Sequence, residues 1–385
     1  MASKERSHRM NDNRLQDTGP KSPEVTVLMA VYNGERFLRQ AVESILNQTF
    51  LDFEFLIIND GSSDGTGDIL ASYDDPRIRV VDNDRNIGHP QSLNRGLALA
   101  RGEYIARQDA DDISYSERLE RQVSFMRKNA DVAVLGTQVN YLRGDGKRTR
   151  FIRPGKPVSA LAAKFCLMFS PPNPVAHPTA MFRKSIIWDK YGGYDPNYRA
   201  AEDAELWCRV GMEHVIRNLT APLVTIRVHS GSLTADRSHP RRKQDYSLLK
   251  RFLPEVMKSV LNRSDIPNEW SEIWEDIHEP SQAPDVGSIL NFVRAVDELE
   301  EMFRQAYPEA SGNQELRLIT ADVKMYVALY LAKQQRTKSV PVFLQVFRTD
   351  PRLAFQYFPK FLALLVFGDA AIKFHKKLKA MRGLS

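Results

Sequence analysis

The sequence is poor in cysteine and has no long apolar segment. Only two cysteines, Cys166 and Cys208, occur among 385 residues, and neither belongs to a C-x-x-C or other metal-ligand spacing. A disulfide framework is therefore excluded as the basis of the fold, and a reducing, cytoplasmic compartment is expected. The longest apolar run near the end of the chain, residues 361–367, is far shorter than the roughly 20 residues that a membrane-spanning helix needs.

Several other signatures are also missing. Residues 1–23 lack the apolar core of a secretory signal, and their polar composition predicts a disordered leader. Neither the G-x-G-x-x-G of a dinucleotide dehydrogenase nor the G-x-x-x-x-G-K-[ST] of a P-loop NTPase is found. The formal net charge is +6, but the basic residues are scattered and no nucleic-acid-binding motif accompanies them, so no nucleic-acid partner is expected.

Strand and helix patterns alternate through the first part of the chain. The run VTVLMAV at 25–31 is typical of a strand buried on both faces, and apolar residues at helical spacing follow it at 37–46. The same alternation continues to EYIARQ at 103–108. The predicted fold is therefore α/β, with a mostly parallel central sheet and helices on both faces.

The composition changes to helical patterns after about residue 245. We predict a globular α/β domain over 24–240 and a helical C-terminal region over 246–385. That region ends in a basic amphipathic tail in which no acid follows Asp369. Such a tail either contacts a membrane surface or forms a packed helix with a solvated basic end. The tail residues in question are Lys373, Lys376, Lys377, Lys379 and Arg382.

Polar residues follow three of the predicted parallel strands directly. In open α/β sheets the ligand binds beyond the carboxyl ends of the strands, so these residues are expected to line one crevice. They are Tyr32 and Asn33 after the first strand, Asn59 and Asp60 after the second, and Asp109 and Asp111 after the fourth.

The cluster ARQDADDIS at 106–114 holds three acids within four positions. Asp109 and Asp111 are two residues apart, so in an extended segment both face the same side and repel each other unless a cation lies between them. A hard divalent ion such as Mg²⁺ or Mn²⁺ suits such oxygens. Asp112 has a different explanation, since Ser114 and Glu117 predict a capping box and Asp112 would lie near the positive end of that helix. The alternative is that all three acids belong to a solvated turn and helix start.

The motifs VLMAVYNGERFLRQAVESILNQTF, LIINDGSSDGT, NIGHPQSLNRGLALARGEYIARQDADD and AEDAELWCRV together resemble glycosyltransferase family 2, whose members are inverting nucleotide-sugar enzymes of the Rossmann-like GT-A fold. The likeness covers residues 24 to about 235. It implies that Asp109 and Asp111 are the D-x-D pair that meets the ribose and the diphosphate-bound metal. The nucleotide-binding positions that it implies are Ala30, Tyr32, Asn33, Asp60, Asp109, Ala110 and Asp111.

The resemblance also implies roles further along the chain. Asp203 is the expected base that takes the proton of the acceptor hydroxyl, and Glu202 orients it or touches the acceptor. Without the other motifs, this acidic pair would simply suit the first turn of a helix. His229 stands where related enzymes have a histidine near the metal or diphosphate, and His177 resembles a position near the acceptor. Arg107 lies near the nucleotide or pairs with Asp109 on the surface.

The leading hypothesis from the sequence is a Mn²⁺- or Mg²⁺-dependent inverting glycosyltransferase. It uses a nucleotide-sugar donor, expected to be a UDP-sugar, and a glycan or lipid-linked glycan acceptor. The alternatives are a sugar nucleotidyltransferase and a non-catalytic nucleotide- or glycan-binding relic. The first would need a glycine-rich, arginine-containing phosphate loop that YNGERFL does not supply, and a relic would have no need of Asp203. The expected location is cytoplasmic, or peripheral at the inner face of the membrane.

Overall fold

The structure is a computed structural model and describes residues 22–143, 148–149, 156–169, 174–199, 201–229, 253–265, 286–334 and 336–367. Most of the predicted leader, the predicted linker near 240–245 and the basic tail lie outside these ranges. The strands are β1 Val25–Val31, β2 Phe53–Asn59, β3 Ile78–Asp82, β4 Tyr104–Arg107, β5 Ile113–Ser114, β6 Val132–Arg143, β7 Arg148–Thr149, β8 Met181–Arg183 and β9 Val215–Val228.

Helices cover both faces of the sheet and make up the described C-terminal part. They are α1 Leu38–Leu46, α2 Thr66–Ala71, α3 His89–Leu99, α4 Arg118–Lys128, α5 Ala160–Cys166, α6 Glu202–Glu213, α7 253–261, α8 Val286–Ala306, α9 Gln314–Gln334, α10 Arg336–Thr349 and α11 Pro351–Phe367. A π-helical turn occupies Ser185–Lys190. No helix among the described residues has the length and apolar character needed to cross a bilayer.

The nine strands form one mixed sheet whose first half is parallel. Its order is β3-β2-β1-β4-β8-β6-β9-β5, and β7 pairs with β6 outside this path. Strands β3, β2, β1 and β4 run parallel, and β8 is antiparallel to β4. The predicted α/β fold with a mostly parallel sheet is confirmed, and so is the helical C-terminal region.

The residues of β1 are mostly apolar on both sides of the strand, and helices pack on both faces of the sheet. All seven of its residues are buried, because successive side chains point to opposite faces and both faces are covered. Val27 and Met29 join the apolar cluster that holds α1 and α4. Leu28 joins the larger cluster on the other face, which contains α3, α5 and α6.

The C-terminal helices pack onto the α/β part through α5. The ring of Phe303 in α8 lies 5.1 Å from that of Phe165 in α5, and both belong to one hydrophobic cluster. The Glu315 carboxylate accepts hydrogen bonds from the backbone N–H groups of Val158 and Ser159, at 2.7 and 2.9 Å, just before α5 begins. The described helices therefore share a core with the α/β part, and the division into two domains stays a prediction.

Candidate active site

The loops that follow β1 and β2 are tied to each other at the carboxyl edge of the sheet. Asn33 has a φ of 51°, in the left-handed region that asparagine tolerates better than most residues. Its side-chain oxygen accepts from the Ser63 N–H at 2.9 Å, and its own N–H donates to Ser62 Oγ at 3.0 Å. Tyr32 beside it is exposed, whereas Ala30 is buried in β1. The exposed ring of Tyr32 therefore lies next to a turn that is held by the hydrogen bonds of Asn33.

Asp60 is buried directly after β2, and its carboxylate accepts three hydrogen bonds from the protein. One oxygen accepts from Asn83 Nδ2 at 2.7 Å and from the Ile87 N–H at 2.9 Å, and the other accepts from the Gly88 N–H at 3.0 Å. These bonds shape the loop between β3 and α3. The contact of Asp60 with a nucleotide base stays a prediction.

The three acids of the 106–114 cluster converge after β4. One carboxylate oxygen from each of Asp109, Asp111 and Asp112 lies within 4.8 Å of the others. Burial, followed by the charge of neighbouring acids, raises the pKa of Asp111 and, more strongly, that of Asp112. Because a divalent cation would remove this repulsion and carboxylate oxygens are its preferred ligands, the donor set fits Mn²⁺ or Mg²⁺.

His229 and Arg227, both near the end of β9, contact this acidic loop. His229 Nε2 lies 2.9 Å from Asp111 Oδ2, so the two predicted metal ligands are neighbours. The Arg227 N–H donates to Asp112 Oδ1 at 2.8 Å, and its Nε donates to the Asp111 carbonyl at 3.0 Å. Asp112 is therefore a buried structural acceptor that fixes the loop.

The capping box predicted for Ser114 and Glu117 is wrong. Ser114 belongs to β5, and its hydroxyl donates to Gln108 Oε1 at 2.7 Å. Helix α4 begins at Arg118, with Glu117 as its N-cap and no side-chain cap bond. Strand pairing with β9 and the hydrogen bond to Gln108 take the place of a local cap.

Arg107 is completely buried, so it does pair with Asp109, as considered from the sequence, but not on the surface. One terminal nitrogen, Nη2, donates to Asp109 Oδ1 and lies 3.2 Å from His89 Nε2. Its Nε donates to His177 Nε2 at 3.1 Å. Nη1 donates to the carbonyls of Leu28 and Gln108. One guanidinium thus connects the D-x-D acid with two imidazoles.

Those imidazoles face Glu202 at the start of α6. His89 Nε2 and His177 Nδ1 each lie 3.9 Å from Glu202 Oε1. Burial, with Asp203 as the next cause, raises the pKa of Glu202 to about 8. Burial and the Arg107 charge lower the pKa of His89 to about 4 and that of His177 well below its usual value. At neutral pH, Glu202 is therefore mostly protonated and both histidines are neutral.

His89, His177 and Glu202 have the residue types and spacing of a metal site, but Arg107 makes them unsuitable. A guanidinium only donates, so the Nε2 atoms of both histidines must accept from it, and each neutral ring carries its proton on Nδ1. A metal on His177 Nδ1 would move that proton to Nε2, opposite the Arg107 N–H. Of the two metal candidates, the acid cluster with His229 is therefore the better one.

Asp203, the expected base, follows Glu202 in the first turn of α6 and is only partly buried. Its Oδ1 accepts from the Ala204 N–H at 2.8 Å. Burial raises its pKa, with a further contribution from the Asp109 charge, and Lys156 opposes the rise. A carboxylate with a raised pKa is the stronger proton acceptor.

The structure thus brings most of the predicted residues together and adds three that the sequence analysis did not select. Asp109, His177 and Glu202 are linked through Arg107, and Asp111 contacts His229. The residues not anticipated are His89, Arg227 and Tyr194, whose hydroxyl lies 2.8 Å from His177 Nε2. Little in the sequence marks these residues as functional. His89 is the first residue of a helix that follows a glycine, and Tyr194 follows the Gly-Gly turn.

Comparison with known proteins identifies the family of this chain. The family model for glycosyl transferase family 2 matches residues 26–189. The O-antigen biosynthesis glycosyltransferase WbnJ of Escherichia coli is 33% identical over 216 residues, which cover 54% of this chain and 81% of WbnJ. The chain belongs to glycosyltransferase family 2. EpsE of Bacillus subtilis is 38% identical over 193 residues, 49% of this chain.

The chain aligns with slightly less than two thirds of the length of some of these relatives. It covers 66% of EpsE, and 64% of MJ1057 of Methanocaldococcus jannaschii, which is 35% identical over 191 residues. Among solved structures, residues 1–349 of S. aureus TarS in complex with UDP-GlcNAc align with a TM-score of 0.51 at 16% identity, covering 86% of this chain and 92% of that TarS fragment. This likeness concerns the fold alone, and it agrees with the GT-A class predicted from the sequence.

Proposed function

We propose that this family 2 chain transfers a sugar from a nucleoside diphosphate sugar to an acceptor hydroxyl, with inversion at the anomeric carbon. The observation that carries the proposal is the pair of acidic sites at one crevice, Asp109 with Asp111 after β4 and Asp203 at the start of α6. Arg107 contacts both Asp109 and His177, and His177 Nδ1 lies 3.9 Å from Glu202, the residue next to Asp203, so a short series of contacts connects the two acidic sites.

The donor is proposed to be a UDP-sugar. TarS, which shares the fold, binds UDP-GlcNAc. The candidate nucleotide contacts are the exposed ring of Tyr32, the fixed turn at Asn33 and the edge formed by Ala30, Asp60 and Ala110. A diphosphate would lie beside Asp109 and Asp111, where Asp111 and His229 would hold Mn²⁺ or Mg²⁺. The ion supplies charge neutralisation for the diphosphate leaving group.

Asp203 is the proposed base. Direct displacement requires that the acceptor hydroxyl lose its proton as its oxygen attacks, and a partly exposed carboxylate at the crevice can accept that proton. Burial raises the pKa of Glu202 to about 8, so Glu202 is the less suitable member of the pair for accepting a proton at neutral pH. Glu202 and His177 would then orient the base or contact the acceptor. WbnJ takes part in O-antigen biosynthesis, which favours a glycan or lipid-linked glycan as the acceptor class.

Two alternatives predict different behaviour. A sugar nucleotidyltransferase would join a sugar phosphate to a nucleotide and release pyrophosphate, whereas the proposed enzyme releases a nucleoside diphosphate. A non-catalytic relic would bind the nucleotide sugar without releasing it. The peripheral membrane contact expected of the basic tail is kept as a proposal, since residues 368–385 lie outside the described ranges.

The decisive experiment is to incubate the purified protein with Mn²⁺, a panel of nucleotide sugars and glycan acceptors, and to measure nucleoside diphosphate release. Asp203→Asn should lower transfer by at least about a hundredfold while donor affinity changes little, because general-base catalysis contributes roughly 10²–10⁴-fold. Glu213→Gln, at the exposed far end of the same helix, is the matched control. Unimpaired transfer by Asp203→Asn would refute the base assignment.

The proposed metal ligand is tested separately. Asp111→Asn should weaken Mn²⁺ and donor binding by at least about tenfold, because it removes a charged oxygen ligand from a site with few of them. Titration calorimetry with Mn²⁺ and UDP measures this without requiring an acceptor. If Asp111→Asn binds Mn²⁺ as the unaltered protein does, the ion is held elsewhere.

A further inference from the structure

Exposed apolar side chains are concentrated on the last two described helices. Of the ten large hydrophobic residues that are exposed in the described part of the chain, five lie on α10 and α11. We call these five the aromatic strip: Leu344, Phe347, Phe355, Phe358 and Leu362. Phe355 is the most exposed of the five, at 66%. Single exposed apolar residues are normal on a protein surface, but a contiguous set marks an interaction site.

The strip is continuous across the two helices. Phe355, Phe358 and Leu362 are three and seven residues apart, so they share one face of α11. On α10, Leu344 and Phe347 are likewise three apart. The rings of Phe347 and Phe355 lie 5.2 Å from each other and join the two faces.

A buried aromatic layer supports the strip from below. The ring of Phe343 stacks on that of Phe361 at 4.1 Å and contacts Phe358 at 6.0 Å. Phe343 and Phe361 are buried, whereas Phe358 is exposed. The exposed side chains are therefore held by α10 and α11 as a preformed surface.

The exposed charges on α10 and α11 are mainly positive. Arg348, Arg352 and Lys360 are exposed on the same two helices. Asp350 is the only acid within α10, α11 and the residue between them, and its carboxylate accepts from the Leu353 N–H at 3.1 Å at the start of α11. In an anionic bilayer, the apolar strip would contact the acyl chains and the cations beside it would meet the anionic headgroups.

The positive charge of the whole chain is likewise concentrated in its C-terminal part. Residues 336–385 contain ten Lys and Arg but only two Asp and no Glu, whereas residues 1–335 contain 44 Lys and Arg and 46 Asp and Glu. The net positive charge of this protein thus comes entirely from its last 50 residues. Basic residues close to an anionic membrane strengthen binding, and they act together with buried aromatic side chains.

We propose that the aromatic strip is a docking face for an anionic lipid surface, with α10 and α11 lying along that surface. A symmetric dimer through the strip is disfavoured, because two copies of the same predominantly cationic helices would meet at one interface with only Asp350 from each copy to offset their charge. The basic tail of the same chain is disfavoured as the occupant for the same reason. The proposal does not depend on the transferase activity proposed above.

The test is co-sedimentation of the full chain with vesicles of phosphatidylcholine alone and of phosphatidylcholine mixed with phosphatidylglycerol in equal parts. The unaltered protein should bind the mixed vesicles. The double variant Phe355→Ser, Phe358→Ser should lower that partition by about tenfold or more, because two exposed aromatic side chains no longer enter the interface. Phe355→Leu, Phe358→Leu should keep most of it.

The matched control is Leu51→Ser, which makes a similar change at an exposed residue outside the C-terminal helices. Circular dichroism establishes that each variant is folded. Three results would overturn the proposal: no binding by the unaltered protein, equal binding to both vesicles, or equal binding by the serine variant. So would conversion of a dimer to a monomer by the serine substitutions in analytical ultracentrifugation, which would identify a second copy as the occupant.

Discussion

Arg107 donates a hydrogen bond from Nε to Nε2 of His177 at 3.1 Å, and both side chains are buried. Because a guanidinium cannot accept a hydrogen bond, this contact fixes which ring nitrogen of His177 carries the proton. The proton is on Nδ1, the atom that faces the Glu202 carboxyl at 3.9 Å. Arg107 also contacts Asp109, so one positioning residue connects the proposed donor site with the residues beside the proposed base.

The tautomer can be measured directly. We expect the ¹⁵N chemical shifts of His177 to show only the Nδ1–H form in the unaltered protein. Tyr194→Phe should keep this form, because Arg107 Nε still donates. Arg107→Met combined with Tyr194→Phe removes both donors that face Nε2, so the Nε2–H form should become populated. An Nε2–H ring in the unaltered protein would contradict the assignment.

Asp60 offers a test that separates stability from ligand binding. Asp60→Asn would place an NH₂ group among N–H donors that now share the carboxylate, so we expect the free energy of unfolding to fall by about 1–3 kcal/mol. Urea unfolding measures this without nucleotide. Asp84→Asn, an exposed change in the same loop, should have almost no effect. An unchanged stability for Asp60→Asn would show that the loop does not depend on this carboxylate.

Much of the α/β part could be predicted because its apolar patterns are local. The run at 25–31 forms β1, and the apolar positions after YNG form the buried face of α1. The positions of Asp109 and Asp203 followed from the same patterns, since one acid comes after a buried strand and the other opens an amphipathic helix. Local periodicity was sufficient to place both acids on their elements, whereas their roles were implied by the family resemblance.

What could not be predicted depends on contacts between distant parts of the chain. Ser114 looked like a helix cap because its partners are remote: β5 pairs with β9 more than a hundred residues later. Arg107 looked like a surface residue because its burial depends on histidines 18 residues before it and 70 residues after it. Strand β9 begins at Val215, where polar residues and Pro222 hide the strand pattern.

The burial of Glu202 should appear in the pH dependence of stability. Its pKa is about 8 in the folded protein, against an ordinary value of 4.5, so between about pH 5 and pH 8 the folded state keeps a proton that the unfolded state loses. The free energy of unfolding therefore falls as pH rises through this window.

Glu202→Gln mimics the protonated side chain and removes this contribution. At about pH 8.5 the variant should be more stable than the unaltered protein by on the order of 2 kcal/mol or more, and near pH 5 the two should be similar. Urea unfolding at both pH values checks this, with exposed Glu309→Gln as the control. Equal stabilities at about pH 8.5 would mean that Glu202 ionises as an exposed carboxylate does.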